Sequence, residues 1–201
     1  MKKIIILSVF TVMTLGFTIQ AHAALSNQGT DSLGNRLIYD SDLNITWYDY
    51  TNSAGGSSSW PNYLDWASNL EVNFGGTIID NWRLPTITTM ETPPAYSYDG
   101  STTHGYNITS SEMGHLFYTA LGNKGYFATD GTYPQPGWGL TNKSPFINLQ
   151  PYYYYSDTTL VPWTAVHFNF NTGEQYQAAQ LALGGTGLSA IAVRPGDVGV
   201  A

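Results

Sequence analysis

The stretch Trp82-Arg83-Leu84-Pro85-Thr86 is the most informative in this sequence, and Val193-Arg194-Pro195-Gly196 carries a similar arginine and proline near the other end. The whole chain of 201 residues has only seven Lys and Arg side chains, yet each stretch places an arginine among apolar neighbours. An arginine in that setting needs a carboxylate or several carbonyl oxygens for its five N–H donors. We therefore expect the following residues to be structural anchors, with binding of an acidic ligand as the alternative for the arginines: Trp82, Arg83, Pro85, Arg194 and Pro195.

Two helices are predicted, one before and one after the stretch that begins at Trp82. The first begins near Ser59 and Pro61, which suit an N-cap and a first turn, and its apolar residues recur at helical spacing: Tyr63, Trp66, Ala67 and Leu70. In the second, Thr109 and Glu112 form a predicted capping box, and Gly122 supplies the stop. Its apolar stripe is Met113, Leu116, Phe117, Ala120 and Leu121.

Strands are predicted on both sides of the helices. Residues 36–39 and 45–48 are β-prone runs that flank an Asp/Asn cluster, so we expect a hairpin there. Three further strands are expected at residues 152–155, 165–170 and 190–193. The segment 88–107, rich in Thr, Pro, Tyr and Gly, is predicted to be a long surface loop. Two helices, short antiparallel strands and long loops make an α+β domain.

Alternation along two of these strands suggests a ligand-binding surface. In residues 165–170, the apolar side chains are expected to face inward and His167 and Asn169 outward. In the tyrosine run, Tyr153 and Tyr155 share one face, so we expect one tyrosine pair to pack in the core and the other to form a stacking platform for sugar rings, with partial burial under a loop as the alternative. The predicted ligand surface therefore consists of Tyr153, Tyr155, Trp163, His167, Asn169 and Trp138.

The N-terminal residues predict export. Lys2 and Lys3 precede an apolar run at residues 4–17, and the small-x-small pattern of residues 21–23 follows, so we expect a signal peptide at residues 1–23 that is cleaved after Ala23. A membrane anchor is the alternative, although the run is short for a span of about 20 residues. Residues 24–201 then form one domain in a secreted or periplasmic bacterial protein.

The composition of the chain limits which binding partners and metal sites are possible. The remaining 178 residues carry a formal charge of −9, which repels phosphate backbones and makes nucleic acid an improbable partner. The chain has no cysteine, so disulfides and thiolate metal sites are excluded. Charged residues make up 10% of the chain and aromatic residues 14%, a balance that is typical of extracellular domains rich in strands and loops.

The sequence contains few candidates for catalysis or metal binding. It has no nucleophile-elbow, zinc-protease or phosphate-loop motif. Glu112 and His115 match half of a helical metal motif, but their positions off the apolar stripe favour a solvated helix face. His104 is expected to be a polar loop residue, with a ligand role as the alternative. We expect no enzymatic activity and no cofactor.

Calcium is the one cofactor alternative that the spacing leaves open. Asp40, Asp42 and Asn44 are spaced like the start of an EF-hand loop. However, Ile45 stands where that loop needs glycine, and Thr51 stands where it needs the bidentate glutamate. A turn is therefore the favoured interpretation.

Taken together, five segments resemble the DUF1566 family, also called the Lcl C-terminal domain family. In chain order they are residues 37–47, 66–70, 81–86, 111–118 and 192–198, and they span most of the chain after the signal peptide. The resemblance implies a C-type-lectin-like fold, related to formylglycine-generating and sulfatase-modifying domains, in an exported bacterial protein without established enzymatic activity. One branch of the family is an adhesin that binds glycosaminoglycans and host matrix.

The sequence also departs from this family and its relatives. Ile191 stands where relatives often have tryptophan. The catalytic cysteines of formylglycine-generating relatives and the glutamate-proline-asparagine motif of calcium-dependent lectins are absent. The acidic charge offers no basic face for glycosaminoglycans. We therefore expect a secreted, non-catalytic module that binds a glycan or other extracellular polymer. The alternatives are a self-associating protein of a matrix or filament and, second, a hydrolase or metal-dependent enzyme.

Overall fold

A computed structural model describes residues 25–53, 58–160, 164–179 and 188–199. The predicted signal peptide and Trp163 lie outside the described residues. The strands are β1 Leu25–Thr30, β2 Arg36–Asp40, β3 Ile45–Asn52, β4 Val72–Phe74, β5 Thr77–Ile79, β6 Tyr96–Ser97, β7 His104–Gly105, β8 Tyr153–Tyr155, β9 Thr164–Asn169, β10 Glu174–Ala179 and β11 Leu188–Pro195. The helices are α1 Trp60–Ser68 and α2 Glu112–Gly114, which a π-helical segment, His115–Ala120, continues. None of these helices is long and apolar enough to cross a membrane.

The described strands form one large sheet and a small hairpin. The large sheet has the order β1-β2-β3-β11-β8-β9-β10-β7-β6, and β4 pairs with β5 separately. Most neighbours are antiparallel, as predicted, but β11–β8 and β6–β7 are parallel. The β2–β3 hairpin that was expected around the Asp/Asn cluster is confirmed. The domain is a mixed α+β fold.

Core residues cover both faces of the central strands. On β11, Ile191 and Val193 join the larger cluster with the α2 segment, whereas Ala190 and Ala192 face the α1 side. A strand that is buried on both faces reads as a continuous apolar run, as here. The small side chains on the α1 side leave room for the helix, whose Tyr63 and Ala67 are buried as the helical spacing predicted.

The start of the second helix differs from the prediction. The capping box of Thr109 and Glu112 is wrong, because Ser111 is the N-cap and its hydroxyl accepts a hydrogen bond from the Gly114 N–H at 3.1 Å. The Glu112 carboxylate binds Arg83 instead of the start of its own helix. Only three residues are α-helical before the π-helical segment begins, although the predicted apolar stripe packs in the core.

The predicted loop at residues 88–107 contributes two short strands to the edge of the sheet. β6 and β7 are parallel, and Gly105 has φ 120, where an added Cβ would overlap the Ser97 carbonyl oxygen. Glycine therefore permits the close approach of the two strands. This approach places Tyr96 beside His104 on the sheet that carries the candidate site.

Candidate functional site

Five neighbouring strands direct aromatic side chains to one face of the sheet. His167 on β9 lies opposite Tyr176 on β10, and Tyr96 on β6 lies opposite His104 on β7. Directly opposed residues point to the same side of a sheet. Tyr153 on β8 adds its ring to this row through an edge contact with His167, at 5.3 Å between ring centroids.

Ring contacts continue from this row into the loops beyond it. Tyr96 lies 5.9 Å from Tyr176 and 5.7 Å from Tyr98, and Tyr98 stacks on Phe127 at 4.6 Å. Further contacts lead from Phe127 to Tyr133, Tyr126 and Trp138. We call this set the aromatic strip: Tyr153, His167, Tyr176, Tyr96, Tyr98, Phe127, Tyr133, Tyr126 and Trp138.

Much of the aromatic strip is open to solvent. Tyr153 and Tyr176 are each 41% exposed, Tyr96 is 43% exposed and Tyr133 is 63% exposed. Exposed tyrosines gathered in one contiguous patch, rather than scattered, are typical of a binding surface. The patch offers both ring faces and phenol hydroxyls to a ligand.

Two histidines lie beneath the exposed tyrosine rings: His167, which is part of the strip, and His104. His167 is 7% exposed and His104 is 4% exposed, so the expectations of an outward His167 and a polar loop His104 are both wrong. The Tyr153 ring contacts His167, and the Tyr176 ring contacts His104. Because a tyrosine side chain is longer than a histidine side chain, the phenol rings extend beyond the imidazoles. Burial lowers the pKa of His167 to about 4, and His104 nearby adds to this shift. Burial also lowers the pKa of His104.

The buried imidazoles keep unused hydrogen-bonding atoms. In the described part of the chain, His167 Nδ1 and His104 Nε2 are buried without a hydrogen-bond partner. Unpaired buried polar atoms cost free energy, and they recur at functional sites. Both atoms lie under the centre of the aromatic strip.

Carboxylates accompany the aromatic strip. The Tyr96 hydroxyl donates a 2.8 Å hydrogen bond to Glu174, and burial together with this carboxylate raises the pKa of Tyr96. Asp99 follows Tyr98 and accepts hydrogen bonds from Ser101 and Ser97, which lower its pKa to about 2. Both acidic groups therefore lie near Tyr96 and Tyr98.

Two residues of the predicted ligand surface, Tyr155 and Asn169, are buried instead. Tyr155 is fully buried, because α1 covers its end of the strand face and Tyr63 packs on its ring at 5.8 Å. Asn169 is also buried, and its side-chain oxygen accepts hydrogen bonds from the N–H groups of Asn171 and Thr172 in the β9–β10 turn. Both assignments to the ligand surface are corrected.

Other members of the aromatic strip were absent from the predicted ligand surface. Tyr176, Tyr96 and Tyr98 come from segments that gave no strand prediction. The β10 segment carries no apolar alternation, because the polar Gln175 is buried and Tyr176 is exposed. Trp138 does belong to the strip, through an edge contact with Tyr126 at 4.9 Å.

Arg83 is held by carboxylate and carbonyl groups. Its guanidinium donates two hydrogen bonds to Glu112, at 2.6 and 2.7 Å, and one to the Leu84 carbonyl oxygen. The same glutamate accepts a hydrogen bond from the Thr86 N–H. Glu112 is thus an ion-pair partner, and the prediction that it lies on a solvated helix face is wrong.

Arg194 is held by weaker contacts. Its Nε donates to the Asp80 carbonyl oxygen at 3.2 Å, and its guanidinium lies 6.0 Å from the centre of the Trp82 ring. Trp82 is buried, and its indole N–H donates to the Ile79 carbonyl oxygen. The two arginine stretches therefore meet where Arg194 of one lies near Trp82 of the other.

The Asp/Asn cluster forms a turn. The buried Asp40 accepts hydrogen bonds from the N–H groups of Asp42 and Leu43, and Asn44 has a positive φ of 51. His115 Nε2 lies 3.9 Å from Asp40 and 3.8 Å from Asp42, so His115 is also not on a solvated helix face. Among the described residues, no group of three or more His, Cys, Asp or Glu side chains could hold a metal ion.

Comparisons with known protein families, with curated proteins and with solved structures found no match to this chain.

Proposed function

We propose that the protein is a secreted, non-catalytic binding module, and that a glycan or other extracellular polymer lies along its aromatic strip. The row of rings from Tyr153 to Trp138, several of whose tyrosines are exposed, carries this proposal. The resemblance to the DUF1566 family agrees with it and adds the expectation of a C-type-lectin-like domain. Neither the proposal nor the family assignment requires a catalytic group.

The chemistry of the aromatic strip fits a chain of sugar rings. The apolar C–H faces of a sugar suit the planes of Tyr153, Tyr176 and Tyr96, which are all partly exposed. Phenol hydroxyls and the Glu174 carboxylate supply hydrogen-bonding partners for sugar hydroxyls at the same place. Successive rings offer successive stacking positions, which favours an extended polymer over a single small molecule.

Charge narrows the class of polymer. Two carboxylates, Glu174 and Asp99, lie beside the aromatic strip, and the chain after the predicted signal peptide has only five Lys and Arg residues. Sulfated polymers would therefore meet electrostatic repulsion. A neutral polysaccharide, or one that carries amino groups, fits the strip better than a glycosaminoglycan.

A binding array on the purified protein tests this function. We expect retention on at least one neutral or amino-bearing polysaccharide, such as a β-glucan, chitin or chitosan, and none on heparin. Binding should be the same with calcium and with a chelator, because Asp40 is engaged in the turn. A folded protein that binds no polymer would contradict the proposal. Concentration-dependent assembly by light scattering would then identify the self-associating alternative.

A further inference from the structure

A polar cavity lies at the end of β3, and none of its lining residues belongs to the aromatic strip. Its volume is about 310 Å³, at the lower end of the range for small-molecule sites, about 300–1,000 Å³. The lining residues are uncharged amides, hydroxyls and two tyrosines: Asn35, Tyr50, Thr51, Ser53, Asn148 and Gln150, with Tyr152. This composition differs from that of an apolar groove.

A buried carboxylate fixes one wall of the cavity. Asp31 is 7% exposed and accepts hydrogen bonds from both the backbone N–H and the side-chain amide of Asn35. The same amide donates to the Tyr48 hydroxyl at 2.8 Å. The Asn35 side chain therefore has a set orientation before any ligand arrives.

A second buried carboxylate fixes Asn148, the lining residue whose amide also donates to the Asn35 side-chain oxygen at 3.4 Å. Asp49 is fully buried and accepts hydrogen bonds from the N–H groups of Ile147 and Asn148, at 2.7 and 3.0 Å. The Asn148 amide donates to the Asp49 carbonyl oxygen, and the Thr51 hydroxyl donates to the Asn148 carbonyl oxygen, both at 2.8 Å. Preorganised polar groups lose little entropy on binding, which is the arrangement that a ligand site needs.

Several polar side-chain atoms of the cavity make none of these internal hydrogen bonds. Within the described part of the chain, no hydrogen bond occupies the side-chain oxygens of Asn148 and Gln150 or the hydroxyls of Ser53, Tyr50 and Tyr152. Tyr50 is held by ring contacts with neighbouring aromatics, and Tyr152 is 46% exposed. The cavity thus combines two aromatic faces with free hydrogen-bonding oxygens.

We propose that this cavity binds one uncharged, hydroxyl-rich ring, such as a single neutral sugar residue. An anion would find no cationic side chain among the lining residues. A cation would find no carboxylate among the lining residues, and the nearby Asp31 and Asp49 already accept four and two hydrogen bonds. The site is independent of the aromatic strip and does not rest on its function.

Saturation-transfer NMR on the purified protein tests the cavity, with galactose, mannose and N-acetylglucosamine as probes and glucuronate as the charged comparison. We expect at least one neutral sugar to bind. Gln150→Ala and Tyr152→Ala should each weaken its binding by about fivefold. Tyr153→Ala, on the aromatic strip, is the matched control and should change this affinity by less than about twofold.

Two results would overturn the cavity proposal. The first is that no neutral sugar shows saturation transfer, and the second is that both cavity variants bind as tightly as the parent. Near-UV circular dichroism shows whether the variants are folded, and Tyr152 is exposed enough that its truncation should not unfold the domain. These results do not depend on whether the aromatic strip binds a polymer. Each proposal can therefore be refuted without the other.

Discussion

Arg83 and Val193 exchange two backbone hydrogen bonds, each of 2.9 Å, in an antiparallel bridge. This bridge brings the two arginine stretches side by side, although they lie far apart in the sequence. Arg194 then comes over the Trp82 ring, while Arg83 reaches Glu112 at the start of α2. The two stretches therefore act as one clamp between β11 and the second helix.

Removing the charge of Glu112 should weaken this clamp. Glu112→Gln leaves Arg83 without its ion pair and is expected to lower the free energy of unfolding by about 2 kcal/mol. The loss should be smaller than for a fully buried pair because the Arg83 side chain is 34% exposed. Urea unfolding measures it, with the exposed Glu71→Gln as a control expected to stay within about 0.5 kcal/mol. Equal stability of the two variants would contradict the clamp.

The corrected N-cap of the second helix gives a paired prediction. Ser111→Ala removes the acceptor for the Gly114 N–H and should cost about 1 kcal/mol of stability. Thr109→Ala should cost almost nothing, since Thr109 is exposed and is not the cap. Thermal unfolding of both variants distinguishes the two positions. A larger loss for Thr109→Ala would restore the capping box.

Tyr155 and Tyr153 share a strand face but should differ sharply in stability. Tyr155→Ala opens a cavity beneath α1 and is expected to cost about 3–5 kcal/mol, as large aromatic truncations do. Tyr153→Ala removes an exposed ring and should cost less than about 1 kcal/mol. Denaturant midpoints measured side by side give the comparison. Similar losses for the two variants would mean that α1 does not cover Tyr155.

The buried His167 should make stability depend on pH. Its folded pKa of about 4 lies below the ordinary value of 6.5, so the unfolded chain binds the proton first as the pH falls. The free energy of unfolding should therefore decrease between about pH 6.5 and 4, by up to about 3 kcal/mol from this group. Urea unfolding across that range measures the slope.

His167→Phe supplies the comparison for the pH dependence. The variant keeps a ring in the same place but cannot titrate, so the difference between the two curves reports His167 together with its coupling to His104. Asp40 and Asp49, whose pKa values burial raises, titrate in both proteins and cancel in that difference. Parallel curves for parent and variant would show that the imidazole is not desolvated.

Local sequence pattern predicted the elements whose neighbours lie nearby. The β2–β3 hairpin and β9 were recognised from β-prone runs and alternation, and α1 from its helical spacing. Alternation also assigned Tyr153 and Tyr155 to one face correctly. It did not show that α1 covers only the Tyr155 end, because that depends on packing between distant segments.

Long-range partners explain the other differences. Glu112 looked solvent-facing from helix periodicity, whereas its partner Arg83 is 29 residues away. The aromatic strip collects rings from residue 96 to residue 176 across several strands and loops, so no short window of sequence contains its pattern. The register between strands creates this site.

The most direct test of the central claim compares three tyrosines in one polymer-binding experiment. Tyr153→Ala and Tyr176→Ala, on the aromatic strip, should each weaken binding to the retained polysaccharide by about tenfold in affinity gel electrophoresis, because each removes a stacking ring. Tyr39→Ala, at a half-buried tyrosine that belongs neither to the strip nor to the cavity at the end of β3, should bind like the parent. Unchanged binding in both strip variants, or equal losses in all three, would contradict a polymer site on the aromatic strip.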